Sequence, residues 1–163
     1  MIDKLQKSLV DVVYAVARTK NKYERENPDE KVLAADGSKA IMTQGDQDIE
    51  RGLAWAGSKR AVVMLTNKRV KCDQWDIPLE NIQTARLLKI GSLFGQGQVL
   101  KLKTKDNKHY QFGMQFNPAW VAQKVLPLTL EQGQVKTSAL SWVVRLMAIG
   151  YLVYWALNKF EVI

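Results

Sequence analysis

The chain contains one cysteine and one histidine among its 163 residues, and this scarcity narrows its chemistry. Cys72 cannot form an internal disulfide, which fits a reducing compartment. Together with His109 it also falls short of the four protein ligands that a structural zinc ion usually takes. No set of acids, bases and nucleophiles converges in the sequence, so we expect no catalysis, no metal and no cofactor.

Both residues fit ordinary structural positions instead. Cys72 shares a strand face with Val70 in the alternating segment 69–75, which predicts a buried core thiol. His109 begins a strand pattern next to Lys108 and is expected on its outward face.

Two loops lack the residues that would make them ligand sites. Asp46, Asp48 and Glu50 alternate along the chain, but the glycine and the distant glutamate of an EF-hand calcium loop are missing. The glycine-rich segment 91–97, GSLFGQG, lacks the Lys-Ser/Thr pair and the following helix of a phosphate-binding loop. We therefore expect an exposed acidic loop and a turn, with the Leu-Phe tip of the turn either in the core or dipping into a membrane.

The N-terminus lacks the unbroken apolar core of a secretory leader, because Asp3 and Asp11 interrupt it. The residues before the C-terminal run are therefore expected to stay in the cytosol. Residues 1–27 have helical periodicity instead and predict an amphipathic helix that packs on the following domain, with packing on a partner as the less favoured alternative. Its apolar face holds Leu5, Leu9, Val12, Val13 and Val16.

The longest apolar run extends from Ala139 to Leu157 and contains one charged residue, Arg145. A helix of roughly 20 residues crosses a hydrocarbon core of about 30 Å, so the run predicts a transmembrane helix over 139–160 that anchors the chain by its tail. The long stem of Arg145 would let its charge reach the headgroups. Aromatic residues near both ends resemble an interfacial belt, and the anchor is expected to include Trp142, Tyr151, Tyr154 and Trp155.

A second interpretation of this run stays open. An apolar helix can also be buried in a homo-oligomer of a soluble interaction protein, and Gly150 would allow another helix to approach closely. The membrane interpretation is favoured, because the polar stripe that a surface helix needs does not continue beyond Arg145. It predicts a single-pass membrane protein whose N-terminal domain is cytoplasmic.

The net charge of +8 is distributed unevenly along the chain. Residues 31–130 contain 15 basic and eight acidic side chains, which gives this segment a charge of +7. A basic domain is attracted to an anionic membrane surface by about 1 kcal/mol per nearby cation. Nucleic acid is not expected as a partner, because the strand face of Lys101 and Lys103 has few aromatic residues for base stacking.

From residue 30 onwards the hydrophobic period changes to two, which predicts strands. Short strands with frequent turns indicate a mainly β protein with an antiparallel barrel or sandwich. After the last strand, Asn117 and Pro118 predict the start of a helix, on which Trp120 is expected to plug an open end of the barrel. The polar segment 129–138 is predicted to be a linker.

Two segments resemble a known family. Residues 61–83, AVVMLTNKRVKCDQWDIPLENIQ, are similar to the LTNKR…IPL-x-x-I signature of bacterial pleckstrin-homology-like (PH-like) and GRAM-like domains. Residues 101–120, KLKTKDNKHYQFGMQFNPAW, resemble their last hairpin and capping helix. The resemblance covers 31–126 and implies a domain at 28–128 with a seven-stranded, strongly bent antiparallel barrel capped by one C-terminal helix.

The same resemblance implies membrane targeting, lipid-headgroup contact or protein scaffolding, without catalysis. In lipid-binding relatives, basic residues on the early strands and their connecting loop hold the phosphates. The matching positions here are Lys59, Arg60, Lys68, Arg69 and Lys71. With the C-terminal run, the sequence predicts a non-catalytic, membrane-anchored module that binds membrane lipid or a protein partner that the residues do not identify.

Overall fold

The chain folds into a mainly β structure with helices at both ends. The computed structural model describes residues 2–51, 58–92, 95–133, 136–137 and 139–159. Its two compact units are Met1–Gln47 with Ser58–Gln134, and Asp48–Gly57 with Val135–Ile163. The helices are α1 Ile2–Val13, α2 Val16–Glu26, α3 Ala119–Ala122 and α4 Ala139–Lys159. The strands are β1 Val32–Thr43, β2 Glu50–Arg51, β3 Lys59–Thr66, β4 Arg69–Cys72, β5 Trp75–Pro78, β6 Ile82–Ser92, β7 Gly95–Thr104, β8 His109–Gln115, β9 Thr129–Gln132 and β10 Lys136–Thr137.

The first unit is built on an eight-stranded sheet with the order β5-β4-β3-β1-β8-β7-β6-β9. Neighbouring strands are antiparallel except β9, which runs parallel to β6. The mainly β, largely antiparallel architecture expected from the period-two pattern is therefore confirmed.

The expectation of a seven-stranded antiparallel barrel or sandwich is confirmed only in part, because the mainly antiparallel sheet has an eighth, parallel strand and is not closed into a barrel. Residues 129–132 lie in the segment predicted to be a linker, yet they pair with Arg86 to Lys89 of β6. Backbone N–H and C=O groups along an unpaired strand edge need partners, and a polar segment can supply them as well as an apolar one. Since β9 occupies this edge of β6, β5 and β9 remain as the two edges of the sheet.

One face of the sheet carries the main hydrophobic core. Leu65, Leu100 and Phe112 are completely buried, and each alternates with residues on the opposite face. Asn117 Oδ1 accepts a hydrogen bond from the Ala119 amide at 3.0 Å as α3 begins. Trp120 of this helix is fully buried in the same core, although the sheet is not closed into the barrel whose end it was expected to plug.

The N-terminal segment forms two helices rather than the single one predicted over 1–27. The break is at Ala15, whose φ of 51° lies in the left-handed region that helices do not continue through. Val16 after the break is buried, whereas Leu9, Val12 and Val13 before it are 67–79% exposed. The expectation that this apolar face packs on the domain is therefore wrong for α1.

The second unit contains α4 and the short parallel pair of β2 with β10. The C-terminal helix predicted from the apolar run is thus present, over 21 residues. Within the described part of the chain, no helix has the combination of length and apolarity needed to cross a bilayer. The single membrane span expected over 139–160 is not confirmed.

Candidate functional site

An open groove of about 650 Å³ lies where the helices α1 and α2 face strands β3 and β4. The buried side chains of Val62 and Met64 line it, together with the rings of Tyr14 and Tyr23. Charged side chains complete the lining: the cations are Lys22, Arg60 and Lys71, and the acids are Glu26 and Asp73. We call this feature the basic groove.

Strand alternation explains the apolar lining of the groove. Val63 and Leu65 point into the main core, so Val62 and Met64 face the other side of β3. On that side they form a second, smaller cluster with Val16, against which the tyrosine rings of the helices pack. The two helices are thus held on the outer face of the sheet.

Gly37 of β1 makes the close approach of α1 possible. A Cβ atom at this position would lie 2.6 Å from Cγ of Tyr14 and 2.9 Å from its Cβ, far inside van der Waals contact. Because these are atoms at the base of the ring, rotation of the tyrosine would not relieve the clash. Glycine is therefore required where Tyr14 crosses the strand.

The buried carboxylate of Asp36 in β1 helps to hold α1 on the sheet. Asp36 of β1 is 1% exposed and accepts hydrogen bonds from Trp120 Nε1 at 2.7 Å and Asn117 Nδ2 at 2.8 Å. Lys7 of α1 contacts the same carboxylate and also pairs with Asp11 at 3.0 Å. Since every partner of Asp36 is a donor, the carboxylate is satisfied in its ionised form.

For both Asp36 and Lys7, burial shifts the pKa in one direction and the neighbouring polar and charged groups shift it in the other. Burial raises the pKa of the Asp36 carboxyl, and the hydrogen bonds from Lys7, Trp120 and Asn117 oppose that rise. Burial would lower the pKa of Lys7, but Asp36 and Asp11 hold it above its usual value. The cluster positions a helix and presents no nucleophile or open ligand position.

A second buried carboxylate ties α2 to the strands. Glu30 Oε2 accepts hydrogen bonds from Tyr23 Oη at 2.8 Å and Thr66 Oγ1 at 2.9 Å, while Oε1 lies 3.0 Å from Arg69 Nη2. Burial opposes ionisation of Glu30, but these partners hold its pKa below the ordinary value. Burial and the bond to Glu30 raise the pKa of Tyr23 to about 12.

The five basic residues predicted to hold a headgroup do not form one site. Arg69 pairs with Glu30 and with Asp76 at 2.8 Å, which commits its charge to the protein. Lys59 lies 3.5 Å from Asp73 and 5.6 Å from the centre of the Trp75 ring.

The remaining three divide between a turn and the groove. Lys68 is exposed in the turn between β3 and β4. Arg60 and Lys71 line the basic groove, where they meet Lys22. Sequence reasoning missed Lys22, because the turn at Ala15 that brings α2 to the groove leaves no recognisable pattern.

The aromatic residues predicted to form the membrane anchor lie on the surface of α4. Tyr151, Tyr154 and Trp155 are 50–68% exposed, and Lys159 Nζ lies 4.8 Å from the centre of the Trp155 ring. The side chains of Trp142 and Arg145 are outside the described residues, as is the Leu-Phe tip of segment 91–97. The flanking parts of that segment belong to the hairpin of β6 and β7 rather than to a free loop.

The other residues considered in the sequence have structural surroundings. Cys72 is buried as predicted, and burial raises the pKa of its thiol to about 11. His109 is half-buried on the face of β8 opposite the core residue Phe112, also as predicted. Asp46 pairs with Lys101 and Arg86, which lower the pKa of its carboxyl.

The chain was also compared with known proteins. Neither a protein-family model nor a curated protein matches it.

Proposed function

We propose that this chain is a non-catalytic PH-like module that α4 holds at a membrane by embedding in the lipid without crossing the bilayer, and whose basic groove binds an anionic lipid headgroup. The exposed apolar surface of α4 is the observation that carries the proposal. The cytoplasmic leaflet is the anionic one, so it suits a domain with an excess of cations. The protein partner expected from the sequence stays a prediction.

The exposed side chains of α4 cover its whole circumference. Positions 146 to 155 make almost three turns, and the large apolar residues among them are at least half exposed. They are Leu146, Met147, Ile149, Tyr151, Leu152, Val153, Tyr154 and Trp155. Burying one aliphatic side chain is worth about 1.5–3 kcal/mol, so leaving this surface in water costs on the order of 10 kcal/mol.

The distribution of this surface favours lipid as its cover. A helix that packs against one partner protein needs an apolar stripe on one side and keeps polar residues on the other. A helix that is apolar all round needs to be covered on all sides. Acyl chains can cover it in this way, because they do not need a specific complementary shape. Membrane attachment therefore accounts for the whole circumference of α4, whereas a pairwise helix contact accounts for one side.

Topology and motif positions support the PH-like part of the proposal. Apart from the added β9, the sheet is a run of seven antiparallel strands, the number that the resemblance implies. The segment Leu65 to Arg69 makes the tight turn between β3 and β4, and Pro78 leads into the single turn Leu79–Asn81 before β6. A short helix carrying the buried Trp120 follows the last of the seven strands.

The charges of the basic groove support an anionic ligand. Glu26 lies 3.8 Å from Lys22, and Asp73 lies 3.5 Å from Lys59, so each acid already has a cation. Among the described residues, Arg60 and Lys71 form no ion pair within 4.0 Å. These two cations are therefore the ones we assign to a headgroup phosphate.

Carbonate washing of membranes from cells that express the chain tests the attachment. We expect the full-length protein to stay with the membrane pellet and a variant lacking 139–163 to be released as a folded domain. A full-length protein recovered in the wash as a discrete oligomer would overturn the proposal in favour of a homo-oligomer formed through α4.

A further inference from the structure

Helix α1 packs on the sheet with its polar side and presents its apolar side to the surroundings. Lys7 and Asp11 lie on the inner side, where Lys7 contacts the buried Asp36. Leu9, Val12 and Val13 lie on the outer side and are 67%, 75% and 79% exposed. This is the reverse of the usual arrangement, in which an amphipathic helix buries its apolar stripe against the core.

The reversed orientation is built into the fold. Lys7 fixes the middle of α1 to Asp36, whose carboxylate is itself held by Trp120 of α3 and by Asn117 just before that helix. Tyr14 fixes the C-terminal end by lying directly on the backbone of Gly37. Rolling the helix to bury its apolar side would remove both contacts and leave Asp36 without its cation, which is costly for a buried charge.

The apolar side of α1 continues into the basic groove. Val13 lines the groove as well as belonging to the exposed set, so the aliphatic surface and the cations Lys22, Arg60 and Lys71 are adjacent. The acids facing this region are Glu26 and Asp73, each beside a lysine. Aliphatic side chains bordered by cations are the pattern of a helix that lies in the interface of an anionic membrane.

We propose that α1 is an interfacial membrane-binding helix: Leu9, Val12 and Val13 insert among the lipids of an anionic leaflet, and Arg60 and Lys71 contact the phosphates beside them. A second copy of the chain fits less well, because three aliphatic side chains provide far less than the roughly 800 Å² per partner that a stable interface buries. The inference rests on the proposed membrane location, but it does not depend on α4.

A fluorophore at position 12 tests this contact in the full-length chain. Val12→Cys can be labelled selectively, since Cys72 is buried and burial raises the pKa of its thiol to about 11. The matched control is Val121→Cys, whose parent side chain is also exposed but lies on α3. Both labelled proteins are studied without lipid, with phosphatidylcholine vesicles and with vesicles that also contain phosphatidylserine.

We expect the label at position 12 to shift to the blue and to be quenched by a lipid-attached quencher in the phosphatidylserine vesicles. The label at position 121 should remain unchanged. Adding Leu9→Ser and Val13→Ser to the labelled Val12→Cys chain should weaken the quenching about tenfold, while circular dichroism stays the same because both side chains are exposed.

Two results would overturn the inference. One is a label at position 12 that stays in water with every vesicle. The other is a blue shift without lipid that grows with protein concentration, which would mean that a second copy covers α1. If the protein resists carbonate but the label is not quenched, the inference about α1 is refuted and the attachment by α4 stands. If the label is quenched but the protein does not resist carbonate, the attachment by α4 is refuted and the inference about α1 stands.

Discussion

The apolar residues of the sheet are buried, whereas those of helix α1 are exposed. Val63, Leu65 and Phe112 on the strands are completely buried, whereas Leu9 and Val12 on the helix are 67% and 75% exposed. The sheet is thus complete without the apolar side of α1, and the contacts of that helix with the sheet come largely from its polar side. The difference shows that the first unit folds around one apolar surface and leaves a second one exposed.

The sheet core and the two N-terminal helices are also stabilised by different interactions. Close packing holds the core, while α1 and α2 are held both by the smaller apolar cluster around Val16 and by the buried carboxylates of Asp36 and Glu30. Buried charges specify an orientation because they tolerate few arrangements of donors around them. Four substitutions or conditions separate these contributions, from the largest expected effect to the smallest.

Removing a core ring should destabilise the fold most. Phe112→Ala is expected to lower the free energy of unfolding by about 3–5 kcal/mol, because it empties a fully buried site. Leu9→Ala is the control and should change that free energy by less than about 0.5 kcal/mol. Denaturant unfolding of the full chain in detergent measures both, and a large loss in Leu9→Ala would show that α1 is packed after all.

Crowding the contact under Tyr14 should have an intermediate effect. Gly37→Ala places a Cβ 2.6 Å from the ring and should cost about 1–3 kcal/mol of unfolding free energy as α1 is pushed away from β1. Gly91→Ala is the matched control in β6, where a new Cβ meets nothing within 4 Å. Equal melting temperatures for the two variants would contradict the account of how α1 is held.

Removing the two groove cations should weaken lipid binding and leave the fold intact. Each nearby cation contributes about 1 kcal/mol, so Arg60→Gln with Lys71→Gln should lower the affinity for phosphatidylserine vesicles by roughly 30-fold. Lys105→Gln with Lys124→Gln removes the same charge from other exposed positions and should have a smaller effect. Vesicle flotation of residues 1–138 gives the affinities, and equal losses would reduce the groove to general surface charge.

The attachment of α2 should depend on pH at both extremes. The pKa of Glu30 is lowered in the folded state, so its stabilisation is complete above the ordinary value of 4.5 and is lost as the pH falls through the folded value. The pKa of Tyr23 is raised from 10.0 to about 12, so its contribution is complete below pH 10 and is lost as the pH rises towards 12.

Equilibrium unfolding as a function of pH measures these two limbs. Glu30→Gln should flatten the acid limb, and Tyr23→Phe should flatten the alkaline limb. Unchanged slopes would show that the hydrogen bond between the two side chains contributes little to stability.

The sequence predicted much of the sheet, because alternation along a strand is a local signal. The strands ending at Thr66 and beginning at His109, and the burial of Cys72 and Trp120, follow from local spacing. The added strand β9 was missed, because TLEQ pairs through its backbone and its side chains carry no strand pattern.

The candidate site was harder to predict, because it depends on contacts between distant segments. A helical pattern shows that α1 has an apolar side, but not which side faces the sheet. That is decided by Asp36, 29 residues after Lys7 in the sequence. Likewise, Arg69 is not available as a free cation because it forms ion pairs with Glu30 and Asp76.

The most direct measurement is labelling by a phospholipid that carries a photoreactive group on its acyl chain. The full-length protein in phosphatidylserine vesicles is irradiated, and mass spectrometry locates the modified residues. The account predicts modification within 7–13 of α1 and within 143–159 of α4, with 98–115 of the sheet unmodified. Modification confined to α4, or absent from both helices, would contradict the claim that lipid covers the apolar surface that the fold leaves outside.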